Sequence, residues 1–197
     1  LRKRQKALAL NAWRMSPNFI FAFPRKKNCV QGEAMTTDIN YRKEIGNSIL
    51  PYFRKDKRLY LLVCDMGFGV TDKLKKEFPD RVINCGVMEQ GTVGIAAGMS
   101  ISGLVPIVYS IVNFLVYRAL EQMRNDVVLQ GLNVKFISTG VNDYFKFLGP
   151  SHSCAQDDIK LMKLINMKIY DPYTDKRGFH KLVKEWIYDD KAGYLRV

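Results

Sequence analysis

The sequence predicts an α/β protein: a doubly wound, mostly parallel sheet with helices on both faces. Two observations lead there. From Tyr41 onward, short apolar runs alternate with segments of helical spacing, the pattern of βα units. The runs are also apolar throughout rather than at every second residue, which is how strands buried on both faces read.

The elements follow in order. "YRKEIGNSILPYF" (41–53) spaces Ile45, Ile49, Leu50 and Phe53 as a helix does and is expected to stop around Pro51. "RLYLLVCD" (58–65) is a buried strand ending on Asp65, and "VTDKLKKEFP" (70–79) a short amphipathic helix closed by Pro79. "RVINCG" (81–86) is a second strand, followed by a helix of small residues, "MEQGTVGIAAGMSISG" (88–103), closed by Gly103. "LVPIVYS" (104–110) is a third strand. Tyr117 to Gln130 is a helix with Gly131 as its C-terminal cap. "NVKFIST" (133–139) is a fourth strand, and a loop rich in glycine and aromatics runs from Gly140 to Ser153. "AQDDIKLMKLI" (155–165) and "DKRGFHKLVKEWIYDD" (175–190) are helices around a fifth strand, "MKIYDP" (167–172), and "GYLRV" (193–197) is the closing strand.

The 197 residues are 47% hydrophobic and 12% aromatic, a globular composition with length for one domain and a tail. Residues 35–197 form the expected domain, and 1–34 read as a basic N-terminal extension. That extension carries eight basic residues against Glu33 alone, so +7 of the chain's net +12. The basicity is therefore mostly a property of the tail, which argues against nucleic acid as the main partner; the modest positive field of the remainder suits a phosphorylated small molecule. The four cysteines, Cys29, Cys64, Cys85 and Cys154, lack metal-binding spacing, so no metal site is expected in this chain and a reducing, cytoplasmic setting is the simplest reading. The longest apolar run, Leu104 to Tyr117, holds Pro106, Ser110 and Asn113 and falls short of the ~20 residues of a membrane span.

Ligands of open parallel sheets meet the carboxyl ends of the strands. Here those ends carry Asp65, Gly86 to Glu89, Ser110 to Phe114, and Thr139 onward. Glu89 stands at the start of the small-residue helix. An acid there is stabilised by the helix dipole by about 0.3–1 kcal/mol, and that alone would account for it. Alternatively the carboxylate is held to meet a basic ligand nitrogen. Gly86, Gly91, Gly94 and Gly98 form neither GxGxxG nor a P-loop; they read as residues permitting close helix packing. Asn113 is a candidate N-cap, Phe114 and Tyr117 could stack on a flat ring or fill the core, and His152 in "FLGPSHSCAQDD" could bond a substrate hydroxyl or phosphate. Ser151 or Ser153 could cap the helix that follows.

"FPDRVINCGVMEQGTVGIAAGMSISGLVPIVYS", continued by "RALEQMRNDVVLQGLNVKFISTG" and "GPSHSCAQDDIKLMKLINMKIYDP", resembles the pyrimidine-binding domain of the transketolase family of thiamine diphosphate enzymes. The same pattern occurs in deoxyxylulose-phosphate synthase and in beta subunits of 2-oxo acid dehydrogenases. The resemblance implies that Glu89 is the catalytic glutamate, hydrogen-bonding N1′ of the cofactor's aminopyrimidine and favouring the imino tautomer that takes the thiazolium C2 proton. It implies that Phe114 packs on the pyrimidine with Tyr117 as companion, that Asp65 and Met88 lie near the pocket, and that His152 meets the sugar substrate. The family's Gly-Asp-Gly motif for diphosphate and Mg²⁺ does not occur in these residues. The resemblance therefore implies a separate diphosphate-binding subunit that binds Mg²⁺ and shares thiamine diphosphate, a homo- or hetero-oligomer such as a dimer, and ketol transfer between sugar phosphates. Departures are Ser151 for the usual threonine and "VNDYFKFL" in place of a histidine-rich loop. They leave open a non-catalytic interaction module of the same fold, or a beta-type dehydrogenase or synthase-like subunit.

Overall fold

A computed structural model describes residues 39–197; the expectations for residues 1–34, and Cys29 with them, lie outside the described residues. Six strands form one sheet: β1 (Leu59–Val63), β2 (Val82–Asn84), β3 (Val105–Ile111), β4 (Lys135–Thr139), β5 (Lys168–Tyr170) and β6 (Gly193–Arg196). Their order is β2-β1-β3-β4-β6-β5. Every pairing is parallel, with Leu61 opposite Val82 and Ile107, and Tyr109 opposite Ile137.

The helices cover both faces, as the doubly apolar strands require. On one side α1 (Tyr41–Lys55), α2 (Asp72–Glu77) and α6 (Phe179–Tyr188) bury Ile45, Phe53, Leu74, Leu182 and Trp186 against Leu61, Ile107, Ile137 and Leu195. On the other, α3 (Glu89–Ile101), the helical run from Phe114 to Val128 and α5 (Asp157–Leu164) bury Val93, Ala96, Leu115, Met123 and Met162 against Leu62, Val108, Phe136 and Tyr194. Neighbouring strand residues thus feed opposite cores, the two-residue alternation of a pleated strand. Among the described residues no helix is long and apolar enough to cross a membrane.

Three local expectations change. Helix α1 does not stop at Pro51 but runs to Lys55. Pro51 sits on its exposed face, where the carbonyl it strands can turn to water, and the fully buried Phe53 holds the last turn in place. The helix expected from Tyr117 begins at Phe114 instead. It is built from two π-helical turns, Phe114–Arg118 and Met123–Val128, around a short α4 (Leu120–Gln122). Neither Ser151 nor Ser153 caps α5, whose cap position is Gln156 without a side-chain bond.

Chain direction reverses about β1. From β1 the chain steps outward to β2, then crosses back past β1 to β3. Connections leaving in opposite directions open a crevice at the carboxyl ends of β1 and β3, and the loops and helix starts placed there carry the candidate residues.

Candidate functional site

Glu89 is the first residue of α3, preceded by Met88 in a non-helical conformation (φ −145°, ψ 57°). Its side chain is 1% exposed. A carboxylate at this depth needs donors, and it has two. Ser110 at the end of β3 donates from Oγ to Oε1 at 3.0 Å, and Arg118 donates from a guanidinium nitrogen to Oε2, also at 3.0 Å. The pairing is lopsided: the Arg118 side chain is 47% exposed, so the positive partner stands at the mouth and the acid at the floor. Val87, Met88, Glu89, Gln90, Gly91 and Arg118 line the open pocket above them, ≈ 580 Å³ in volume. Beneath it the Cys64 thiol, 3.7 Å from Thr92 Oγ1, is pushed up to about 11, by burial first and with the Glu89 charge adding to it.

The π-helical turn Phe114–Arg118 delivers the rest of the site. Residues four apart share a helix face, and the Arg118 guanidinium carbon lies 4.0 Å from the centroid of the Phe114 ring, a cation–π contact. On the same ring, His152 packs edge-on with centroids 4.8 Å apart. His152 belongs to a 3₁₀ turn, Pro150–His152, and its Nδ1 is 3.0 Å from Ser151 Oγ. Asn113 is not the side-chain cap expected of it. Its Nδ2 donates instead to the carbonyls of Ser153 (3.1 Å) and Pro150 (3.5 Å), on either side of His152, and so ties the histidine loop to the Phe114 turn.

That loop is anchored from below. Arg196, at the end of β6 and 2% exposed, donates to Asp158 (2.7 Å), Asp171 (2.6 Å) and Asn142 (2.9 Å). Asp158 also accepts from Tyr194 Oη at 3.1 Å. Gly140 starts the loop with φ +82°, and the Phe145 ring occupies the space a Cβ would take there, so only glycine fits.

Of the residues singled out in the sequence, Glu89, Met88, Phe114 and His152 come together around the pocket. Tyr117 points elsewhere: it is half-exposed and its hydroxyl donates to Asp157 Oδ2 at 3.1 Å. Asp65 lies at the neighbouring strand end in a left-handed conformation (φ 49°) and is bonded to Asn84, which also accepts from the Gly86 amide. It braces the ends of β1 and β2. Gly94 and Gly98 have nothing within 4 Å of where a Cβ would stand, so they pack against nothing within this domain. Arg118 was not among the residues expected at the site. Its one signal in the sequence was the spacing, a lone base four residues after Phe114 in the apolar stretch "FLVYRAL".

The donor set fits the pyrimidine half of the cofactor that the resemblance implies: a buried carboxylate beside an aromatic face. Among the described residues no three His, Cys, Asp or Glu side chains are grouped to hold a metal ion.

Comparison with known proteins agrees with this geometry. The transketolase pyrimidine-binding domain pattern matches residues 37–196. One of the two kinds of chain that make up an apulose-4-phosphate transketolase from Phocaeicola vulgatus is 32% identical over 79% of this chain and 50% of its own length. A 1-deoxy-D-xylulose-5-phosphate synthase from Bacillus cereus is 33% identical over 77% of this chain and 24% of its own. The chain thus spans half or less of these curated relatives. Among solved structures, a split gene transketolase, described as an inactive beta4 tetramer, superposes with a TM-score of 0.64 at 28% identity. It is matched over 77% of this chain and 48% of its own. The Leishmania mexicana transketolase superposes with a TM-score of 0.70 at 20% identity, over 79% of this chain and 24% of its own, a likeness of fold.

Proposed function

This chain belongs to the transketolase pyrimidine-binding domain family, and from that premise we propose that it contributes the pyrimidine side of a thiamine diphosphate site in a transketolase-like transferase. The diphosphate side and its Mg²⁺ would come from a diphosphate-binding partner chain. Two relatives support that division, one being a single subunit of a transketolase and the other a split gene transketolase. The reaction would be ketol transfer between phosphorylated sugars. Buried free thiols at Cys64 and Cys154 support a reducing, cytoplasmic setting.

The observation that carries the reading is the placing of Glu89. It is buried, its Oε1 is fixed by Ser110, and it lies beside the Phe114 ring through their common neighbour Arg118. When bound, thiamine diphosphate supplies a carbanion that attacks carbonyl carbon. This chain's part is to present a fixed carboxylate that exchanges a hydrogen bond with a ring nitrogen, and an aromatic face to set the ring's plane. His152, held against the same face, would meet a substrate oxygen.

The test is a calorimetric titration of thiamine diphosphate and Mg²⁺ into this chain alone, into the candidate partner alone, and into the two together. Binding should be strong only in the mixture. Failure of the mixture to bind above its components would overturn the reading.

A further inference from the structure

We propose that Arg118 is a built-in occupant of the aminopyrimidine's place, and that a pyrimidine enters the site by displacing it. The inference rests on the pyrimidine-site reading above.

An aminopyrimidine seated here needs two things from the chain: a flat face to stack on and a carboxylate oxygen within hydrogen-bond reach. Phe114 offers the face, and Arg118 lies over it at 4.0 Å from the ring centroid. Glu89 offers the oxygen. Its Oε1 is taken by Ser110, which leaves Oε2 toward the pocket, and Oε2 is the atom Arg118 holds at 3.0 Å. One planar, cationic, nitrogen-rich group therefore engages both features. A guanidinium resembles a protonated aminopyrimidine in just these respects, being flat, delocalised and a donor to carboxylate.

The occupant is built to leave. Glu89 is buried, but the Arg118 side chain is 47% exposed, so its outer half already meets water. It stands on the exposed side of the π-helical turn, and a long side chain there swings outward without moving the backbone. While it stays, it satisfies a carboxylate that would otherwise be buried with one donor. A ligand must replace that bond, and its apparent affinity is lowered by the fraction of chains in which Arg118 is home. Partial exposure keeps the pair weak enough to open.

The experiment uses the full chain and the isolated probe 4-amino-5-hydroxymethyl-2-methylpyrimidine, followed by calorimetry or ligand-observed NMR. Arg118→Met should bind the probe about tenfold tighter than the natural chain, Arg118→Lys should fall between, and Glu89→Gln should lose binding. In the natural chain, the Arg118 Nε resonance should move to its free-arginine position as probe is added, a readout that requires no variant to fold. Equal or weaker binding by Arg118→Met, or an Nε resonance unmoved at saturation, overturns self-occupancy. If the natural chain binds and Glu89→Gln does not, the pyrimidine reading survives that loss. If neither the natural chain nor Arg118→Met binds, the pyrimidine reading itself falls, and self-occupancy with it.

Discussion

Ser110 Oγ lies 3.0 Å from Glu89 Oε1, so the end of one strand holds the first residue of a helix that follows another. Both groups are 1% exposed. The bond fixes one oxygen of the carboxylate and leaves the other to face the pocket. Replacing Ser110 by alanine strips a buried acceptor of its donor. The expected cost is about 1–3 kcal/mol, read as a lower urea midpoint at unchanged m-value. A change within error would show that Glu89 finds another donor.

Glu89→Gln keeps the shape of the side chain and its acceptor for Ser110 but removes the acid. With the partner chain and cofactor present, turnover should fall by at least about a hundredfold, the scale of a lost acid–base group. Assembly by sedimentation and circular dichroism should be unchanged. Undiminished activity in the folded variant would sink the role given to this residue.

Arg196 reaches Asp158, Asp171 and Asn142 from a position 2% exposed. Removing one partner of a buried ion pair costs about 3–5 kcal/mol because the other charge stays behind. Arg196→Ala should therefore unfold at a much lower urea concentration than the natural chain. Because Asn142 belongs to the loop that carries His152, that loop's amides should also exchange faster than the rest of the protein. A loss below about 1 kcal/mol would mean that the acids are relieved by water.

Lys135 is fully buried, with Nζ 2.6 Å and 2.7 Å from the carbonyls of Asp189 and Lys191 just beyond α6. Burial lowers its pKa from 10.5 to about 8, against the opposing pull of Asp189 and Asp190. From about pH 8 to 10.5 the unfolded chain then holds the proton that the folded chain has released. The lysine's contribution to stability therefore rises with pH across that window. Relative to Lys135→Met, the natural chain should gain on the order of 2–3 kcal/mol between about pH 7 and about pH 10. Denaturant titrations of the two proteins at both values check it, and a constant difference would refute it.

Much of this was legible in the residues. The uniformly apolar runs at 59–63, 105–109 and 135–139 could only be strands covered on both faces, and the structure divides their side chains between two cores. Glu89 stood out because an acid before a run of small residues has no solvated face to belong to. The departures were local and share one cause. Pro51 is a helix breaker by intrinsic preference, yet Phe53 beyond it is buried deeply enough to carry the helix on. Asn113 is a good cap by type, yet its amide is drawn to carbonyls of a loop about forty residues away. In each case tertiary contact overrode a local preference worth about one to three kcal/mol.

By itself the sequence determined the sheet, the edge at which a site would form and the acid at its centre, because these depend on periodicity and on residue type within a few positions. The tertiary structure alone decided what the acid touches. Ser110 and Arg118 lie 21 and 29 residues from Glu89. They reach it only because β3 returns beside β1 and its following turn winds as a π-helix, which carries the arginine over Phe114 and the carboxylate together. No local pattern encodes that meeting, since it depends on how two crossovers stack on one side of the sheet.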